Sequence, residues 1–201
     1  MTPSFTRRGA LALVALSSVA WGAGPAAAAT EAEAITFVTA VVAEVEALVK
    51  SGRPVAEQAG DFRKMFARRA ASEQAVRFVM GIAWREMTAD QQKRMHEAFL
   101  DHIARVYAEL LSDYRGQTIE IGQAQDFGKK GILVRSFARS PGDEDVSVEW
   151  LVSDRGGNGL QLVDITIVGI SLLQSQRQEF AAMLEKRGGN IDTLIRDLAT
   201  G

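Results

Sequence analysis

Val146-Ser147-Val148-Glu149-Trp150-Leu151-Val152-Ser153 sets Val146, Val148, Trp150 and Val152 against Ser147, Glu149, Leu151 and Ser153. Successive side chains of a strand point to opposite faces, so this stretch predicts a strand with one strongly apolar face. The same period extends outward and predicts strands over residues 118–124, 131–139, 145–153 and 159–168. Pro141-Gly142-Asp143 and Gly156-Gly157-Asn158-Gly159 supply the turns between them.

N-terminal to these strands the period changes to that of helices. Over residues 31–50, Ile35, Val38, Val42, Val45 and Val49 recur at spacings of three and four. Ser51-Gly52 closes that helix and Pro54 restarts the chain. A second helix over 55–70 places Phe62, Met65 and Phe66 on one side, with Arg63, Lys64, Arg68 and Arg69 mostly on the other. Ser72 is the expected cap of a third, which carries Val76, Val79, Met80 and Ala83, with Phe78 and Trp84 widening its apolar surface. Thr88-Ala89-Asp90-Gln91 fits a capping box, in which residues three apart satisfy each other's free backbone donors. It opens the longest helix, predicted to run to about Tyr114 with Met95, Phe99, Ile103, Val106, Leu110 and Tyr114 inward. Helix returns over 172–186 and again after Asn190. Helices followed by consecutive strands imply an α+β fold: a four-stranded antiparallel sheet covered on one face by helices.

The first 29 residues read as an export signal. Arg7 and Arg8 give a positive start, residues 10–20 are uncharged and mostly apolar, and Ala26-Ala27-Ala28-Ala29 offers a small-x-small cleavage pattern after Pro25. The apolar run is shorter than the ~20 residues a membrane-spanning helix needs. Thr6-Arg7-Arg8-Gly9-Ala10-Leu11 also resembles a twin-arginine signal. Cleavage is expected near Ala29, leaving residues 30–201 as one exported domain of about 170 residues. The chain has no cysteine, so its core must hold it without disulfides. Residues 1–29 contain two of the 23 basic residues and none of the 25 acidic ones, which leaves the remainder more acidic than the whole chain's −2. That balance argues against nucleic acid as a partner, since phosphate binding needs a basic surface.

Four segments resemble the MlaC family, the toluene-tolerance auxiliary proteins of ABC-type lipid transporters. They are Met80-Gly81-Ile82-Ala83-Trp84-Arg85-Glu86-Met87-Thr88 with Gln91 and Gln92; Phe99 through Tyr107 to Tyr114-Arg115-Gly116-Gln117-Thr118; Val163-Asp164-Ile165-Thr166-Ile167-Val168-Gly169-Ile170-Ser171-Leu172 with Phe180; and Gly189-Asn190-Ile191-Asp192 with Leu194, Ile195 and Leu198. The sequence departs from the family at Val168, where an acidic residue is usual before the Gly-x-Ser step, and at Met80, where Leu is usual. The resemblance implies a periplasmic protein that carries phospholipid between an outer-membrane lipoprotein complex and an inner-membrane ABC transporter with a substrate-binding ring. It also implies a twisted sheet with a deep apolar pocket beneath the helices. Hopanoid-type lipids are the alternative cargo, and an adaptor with a filled core is the alternative role.

Material for such a pocket is present on both layers. The helices offer Phe37, Phe62, Met65, Phe66, Phe78, Met95, Phe99 and Tyr107; the strands offer Val134, Val148, Trp150, Val163, Ile165 and Ile167. These are the candidate lipid-binding residues, although the same stripes would serve equally as ordinary core. No catalytic group, metal site or cofactor is expected. Val168-Gly169-Ile170-Ser171-Leu172 lacks the closing glycine of a nucleophile elbow and has no histidine after the serine. Ser171 with Gln174 reads instead as a helix cap. His96 and His102 are six apart and share no metal-binding face of a helix. The Gly156–Gly159 cluster has no following Lys-Ser or Lys-Thr and reads as a turn.

Overall fold

The computed structural model describes residues 29–112, 116–140, 142 and 144–200. The expected export signal lies outside the described residues, Ala29 excepted, as do Pro141, Asp143 and Tyr114. Among the described residues no helix is long and apolar enough to cross a membrane.

Among the described residues seven α-helices and five strands follow one another as α1 (Glu31–Lys50), α2 (Val55–Arg69), α3 (Ser72–Met80), α4 (Ile82–Glu86), α5 (Ala89–Ser112), β1 (Thr118–Asp126), β2 (Ile132–Arg139), β3 (Val146–Ser153), β4 (Gln161–Ile167), β5 (Ile170–Ser171), α6 (Leu172–Lys186) and α7 (Ile191–Thr200), with a 3-10 turn over Gly128–Lys130 between β1 and β2. The strands form one antiparallel meander in the order β1-β2-β3-β4-β5. The sheet thus has five strands where the sequence predicts four. The extra one is two residues long, closed by the pairing of Ile167 with Ile170 across Val168-Gly169. Both turn residues have positive φ, 47° and 78°, as a two-residue hairpin matching the sheet's twist requires. A β-branched residue is strained there, which is why the pattern does not announce this turn.

Local chemistry sets most of the helix ends. Thr30 and Glu33 cap α1 reciprocally. Thr88 and Gln91 do the same for α5, through Thr88 N–H to Gln91 Oε1 at 3.0 Å and Gln91 N–H to Thr88 Oγ1 at 3.2 Å. Ser72, the expected cap of the third helix, is its first helical residue. Its hydroxyl meets His96 Nε2 at 3.0 Å, and Ala71 stands at the cap without a side-chain bond. That helix also stops at Gly81, whose φ of +56° breaks the ladder before Ala83, so Ala83 and Trp84 belong to α4. Along α5 the inward residues are Met95, Ala98, Phe99, Leu100, Ile103, Ala104 and Ala108, while Leu110 is exposed. α7 packs on α5, and its Leu194 and Leu198 share one apolar cluster with Ala98 and Ala104.

On the sheet, Val134 and Ser136 of β2 pair with Trp150 and Val148 of β3, and Trp150 pairs with Ile165 of β4. These residues share one face, as the period-2 pattern predicts. β4 carries one extra residue, Val163, between the Leu151–Asp164 and Val152–Leu162 pairs. Such a bulge turns its strand locally. At Gly131, φ is +114° and an added Cβ would lie 2.2 Å from the Val152 carbonyl oxygen, so only glycine fits beside β3.

The apolar side chains divide into two clusters. One is helical: Phe62, Met65, Val76, Val79, Met95, Phe99, Ile103, Phe180, Leu194 and Leu198, drawn from α2, α3, α5, α6 and α7. The other seats α1, through Ala34, Val38, Val41 and Val42, on Ile132, Val134, Val148, Trp150 and Val152 of the sheet. α1 lies on β1 and β2, while α3 and α6 meet the sheet at β4.

Candidate functional site

The two clusters do not close on each other. Between them lies a cavity of about 420 Å³. Helices α2 and α5 bring Phe62, Met65, Phe66, Phe99 and Tyr107 to its wall, and strands β3 and β4 bring Val148, Trp150, Val163, Ile165 and Ile167. The bulge in β4 lets consecutive residues Leu162 and Val163 both reach it.

The remaining four candidates lie elsewhere. Val134 and Met95 are completely buried inside the sheet and helical clusters respectively. Phe78 packs against the helical cluster with the Arg177 guanidinium 4.8 Å above its ring. Phe37 lies under Arg69, at 5.6 Å, in a shallow surface hollow with Thr36 and Ala40. Phe37 is a residue of α1. That helix instead lines the cavity with Val41, Val42, Val45 and Val49. Their spacing of three and four was the available signal.

The helical wall is aromatic. Tyr107 stacks on Phe62 with ring centroids 6.0 Å apart, and Phe62 on Phe66 at 6.2 Å. Phe99 stands behind them, tilted at 6.4 Å from Phe66 and edge-on at 5.7 Å to Phe180. Aromatic pairs in such geometries add about 0.5–1.5 kcal/mol each beyond area burial, which helps hold a wall that has free space on one side. The sheet wall is pinned by Trp150. Its indole N–H donates to Ser136 Oγ at 2.8 Å, and Ser136 Oγ–H donates to the Val148 carbonyl at 3.0 Å. The polar end of the indole is thereby satisfied inside the sheet.

Polar groups are few and mostly committed. Asp164 ties β4 to the start of α6: Oδ1 accepts the N–H groups of Ile165 and Leu173, at 2.8 and 3.0 Å, and Oδ2 accepts the Ser171 hydroxyl at 2.5 Å. Ser171 Oγ in turn accepts the Gln174 N–H at 3.0 Å and caps α6. The basic row on α2 is engaged as well. Arg63 pairs with Glu97 and Asp101, Lys64 with Asp61, and Arg68 and Arg69 with Glu44, whose carboxyl they hold below its ordinary range. Burial pushes the Tyr107 hydroxyl up to about 12, helped by the charges of Glu179 and Asp164, so it stays protonated. His96 bonds Ser72, while His102 sits edge-on to Phe180 with burial lowering its pKa. The wall therefore offers apolar area, a protonated hydroxyl and fixed carboxylates; what it can do chemically is exclude water from hydrocarbon.

A family model described as MlaC protein matches residues 37–200. The intermembrane phospholipid transport system binding protein MlaC of Haemophilus influenzae is 25% identical over 121 residues, which are 58% of this chain and 55% of that protein. The chain thus spans about half the length of that curated relative. The phospholipid-binding protein from Ralstonia solanacearum, solved in complex with a phospholipid, is similar at a TM-score of 0.66 and 27% identity, covering 82% of this chain and 94% of that one.

Proposed function

This chain belongs to the MlaC family, and from that premise we propose that it is a periplasmic lipid carrier which shelters acyl chains of a phospholipid in the cavity between its two apolar clusters. The observation that carries the reading is the cavity of about 420 Å³, walled almost wholly by aromatic and aliphatic side chains. Each buried methylene is worth about 0.8 kcal/mol, so exposing two chains with about 30 methylenes would cost roughly 20–25 kcal/mol. A lipid therefore does not diffuse freely through water, and a carrier must supply a dry surface of comparable area. The phospholipid in the Ralstonia solanacearum structure and the transport role named for the Haemophilus influenzae protein support this cargo and task.

In this reading residues 1–29 are an export signal removed near Ala29, and residues 30–201 form one lipid-binding domain. The ten candidate residues on the wall contact the chains, joined by the valine row of α1. The partners are an outer-membrane lipoprotein complex and an inner-membrane ABC transporter with a substrate-binding ring. Release depends on a partner's stabilising a state that holds lipid less well, because cargo this costly to expose does not leave by itself. The carrier performs no chemistry on its cargo.

The test is direct. Protein purified without detergent from a bacterial periplasm is extracted with organic solvent and the extract analysed by mass spectrometry. About one lipid per protein is expected. Repeated recovery without stoichiometric lipid would overturn the proposal and favour an adaptor with no cargo.

A further inference from the structure

Four alanines, Ala26 to Ala29, lead toward α1. The small-x-small pattern of signal cleavage fits a cut after Ala28, through Ala26 and Ala28, as well as a cut after Ala29, through Ala27 and Ala29. In the structure Ala29 is part of the fold. It is partly buried against the cluster that seats α1 on the sheet. Its N–H donates to Asp154 Oδ2 at 3.0 Å, joining the start of α1 to the turn that follows β3. Among the described residues that N–H is the one donor to the Asp154 carboxylate. A single neutral N–H compensates a half-buried carboxylate poorly, because charged donors bind it about twice as strongly.

A second carboxylate stands close by. Glu33 Oε2 accepts the Thr30 N–H and the Thr30 hydroxyl, each at 2.8 Å. Those bonds hold its carboxyl below the ordinary range, while desolvation and the charge of Asp154 oppose them. Ala29 and Thr30 thus offer consecutive N–H groups to two carboxylates that repel each other. Glu31 adds a third negative charge in the first turn of α1, with its Oε1 accepting the Asp126 N–H at 3.0 Å. Asp126 Oδ1 accepts the Gly128 N–H at 2.7 Å. The neighbouring cations do not join this group. Arg155 donates to the Gly128 carbonyl at 3.4 Å, and Lys129 and Lys130 follow Gly128 in the 3-10 turn. A positive charge at the start of a helix ordinarily opposes its dipole. Here the carboxylates of Glu31, Glu33 and Asp154 would favour one.

We propose that the export signal is cut between Ala28 and Ala29, and that the ammonium group this creates on Ala29 forms an ion-pair clasp with Asp154. In the uncut chain the nitrogen of Ala29 is a neutral amide; hydrolysis of the Ala28–Ala29 peptide bond turns it into an ammonium and supplies the missing charge. The clasp pins the start of α1, whose later turns wall the cavity through Val41, Val42, Val45 and Val49. The proposal rests on the export reading and goes beyond it.

The test uses full-length protein expressed with its own leader and recovered from a bacterial periplasm. N-terminal sequencing and intact mass are expected to show a chain that starts at Ala29. A start at Thr30 or any other processed position overturns the clasp and leaves export intact; a chain that still carries residues 1–28 overturns the export reading, and the clasp with it. Thermal melting then tests the charge. The chain has no cysteine, so the α-amino group is the one whose ordinary pKa, about 8, falls between pH 7 and 9. Pairing with a carboxylate favours its charged form. The clasp's contribution is therefore full below about 8 and is lost as pH rises through the raised value. At pH 7 the wild type is expected to melt about 1–4 °C above Asp154→Asn, which keeps the shape and an acceptor but loses the charge. The gap is expected to shrink as pH rises to 9.5. Selective acetylation of the α-amine, which keeps an N–H and removes the charge, serves as the second measurement should the variant fold poorly. It is expected to lower the wild-type melting temperature at pH 7 by a similar amount. A gap that does not change with pH, or an acetylated protein that melts like the unmodified one, overturns the clasp.

Discussion

Replacing Ile165 with Trp fills the cavity from the sheet side. Ile165 pairs with Trp150 across β3 and β4, faces the open space and is half-buried. In a filled core such an enlargement costs about 1–3 kcal/mol through displaced neighbours. Here the ring has free space ahead of it. An extra ~40 Å² of apolar surface removed from water would stabilise the empty protein by about 1 kcal/mol at ~25 cal/mol per Å². The same ring takes the place of about three methylenes of bound chain. At about 0.8 kcal/mol each this removes about 2.4 kcal/mol of binding, or roughly 50-fold in affinity. Urea denaturation of delipidated protein and uptake of a fluorescent phospholipid read the two effects separately. Val134→Ala is the control: Val134 is wholly buried away from the cavity, so it should lose about 2 kcal/mol of stability and leave lipid affinity unchanged. If Ile165→Trp destabilises by more than 1 kcal/mol while binding is unaffected, the space is closed by side chains in solution and the reasoning fails.

Two further outcomes follow from single residues. Val168 holds φ at 47°, where strain of about 1–3 kcal/mol is typical for such a residue; Val168→Asn should raise the denaturation midpoint by the equivalent of about 1 kcal/mol, and no gain would show the turn to be relaxed in solution. His102 is kept neutral by burial, opposed by Glu179 and assisted by Arg105, with its pKa below the ordinary 6.5; its contribution is full above 6.5 and is lost as pH falls through the depressed value, because the unfolded chain then binds the proton more readily. Melting temperatures between pH 7.5 and 5.5 should decline less for His102→Gln than for the wild type, and identical slopes would remove His102 from the account.

Much of the architecture is local and so was legible in the residues. The capping box at Thr88 and Gln91, the stop at Ser51-Gly52 and the alternation of Val148, Trp150 and Val152 act within a few positions of themselves, and the elements form where those signals stand. The resemblance to a lipid-carrying family was likewise carried by ordered short segments, and the family match spans residues 37–200. Elsewhere long-range packing decided. Leu110 continues the stripe of α5 by spacing but faces outward, because burial beyond Ile103 follows Ala104 and Ala108. Gly81 ends a helix that the apolar pattern would carry through to Ala83.

The sequence by itself determined which face of each helix and strand is apolar, since periodicity is a property of neighbours along the chain. It did not determine what each face meets. Val134 and Trp150 are cross-strand partners on one apolar face, yet Trp150 borders the cavity and Val134 is packed shut. Only the tertiary arrangement, with α1 seated on β1 and β2 and the other helices gathered into their own cluster, left space between two greasy surfaces. Burial against protein and burial around a hollow demand the same side chains of the sequence; distance between layers distinguishes them, and no local pattern encodes that distance.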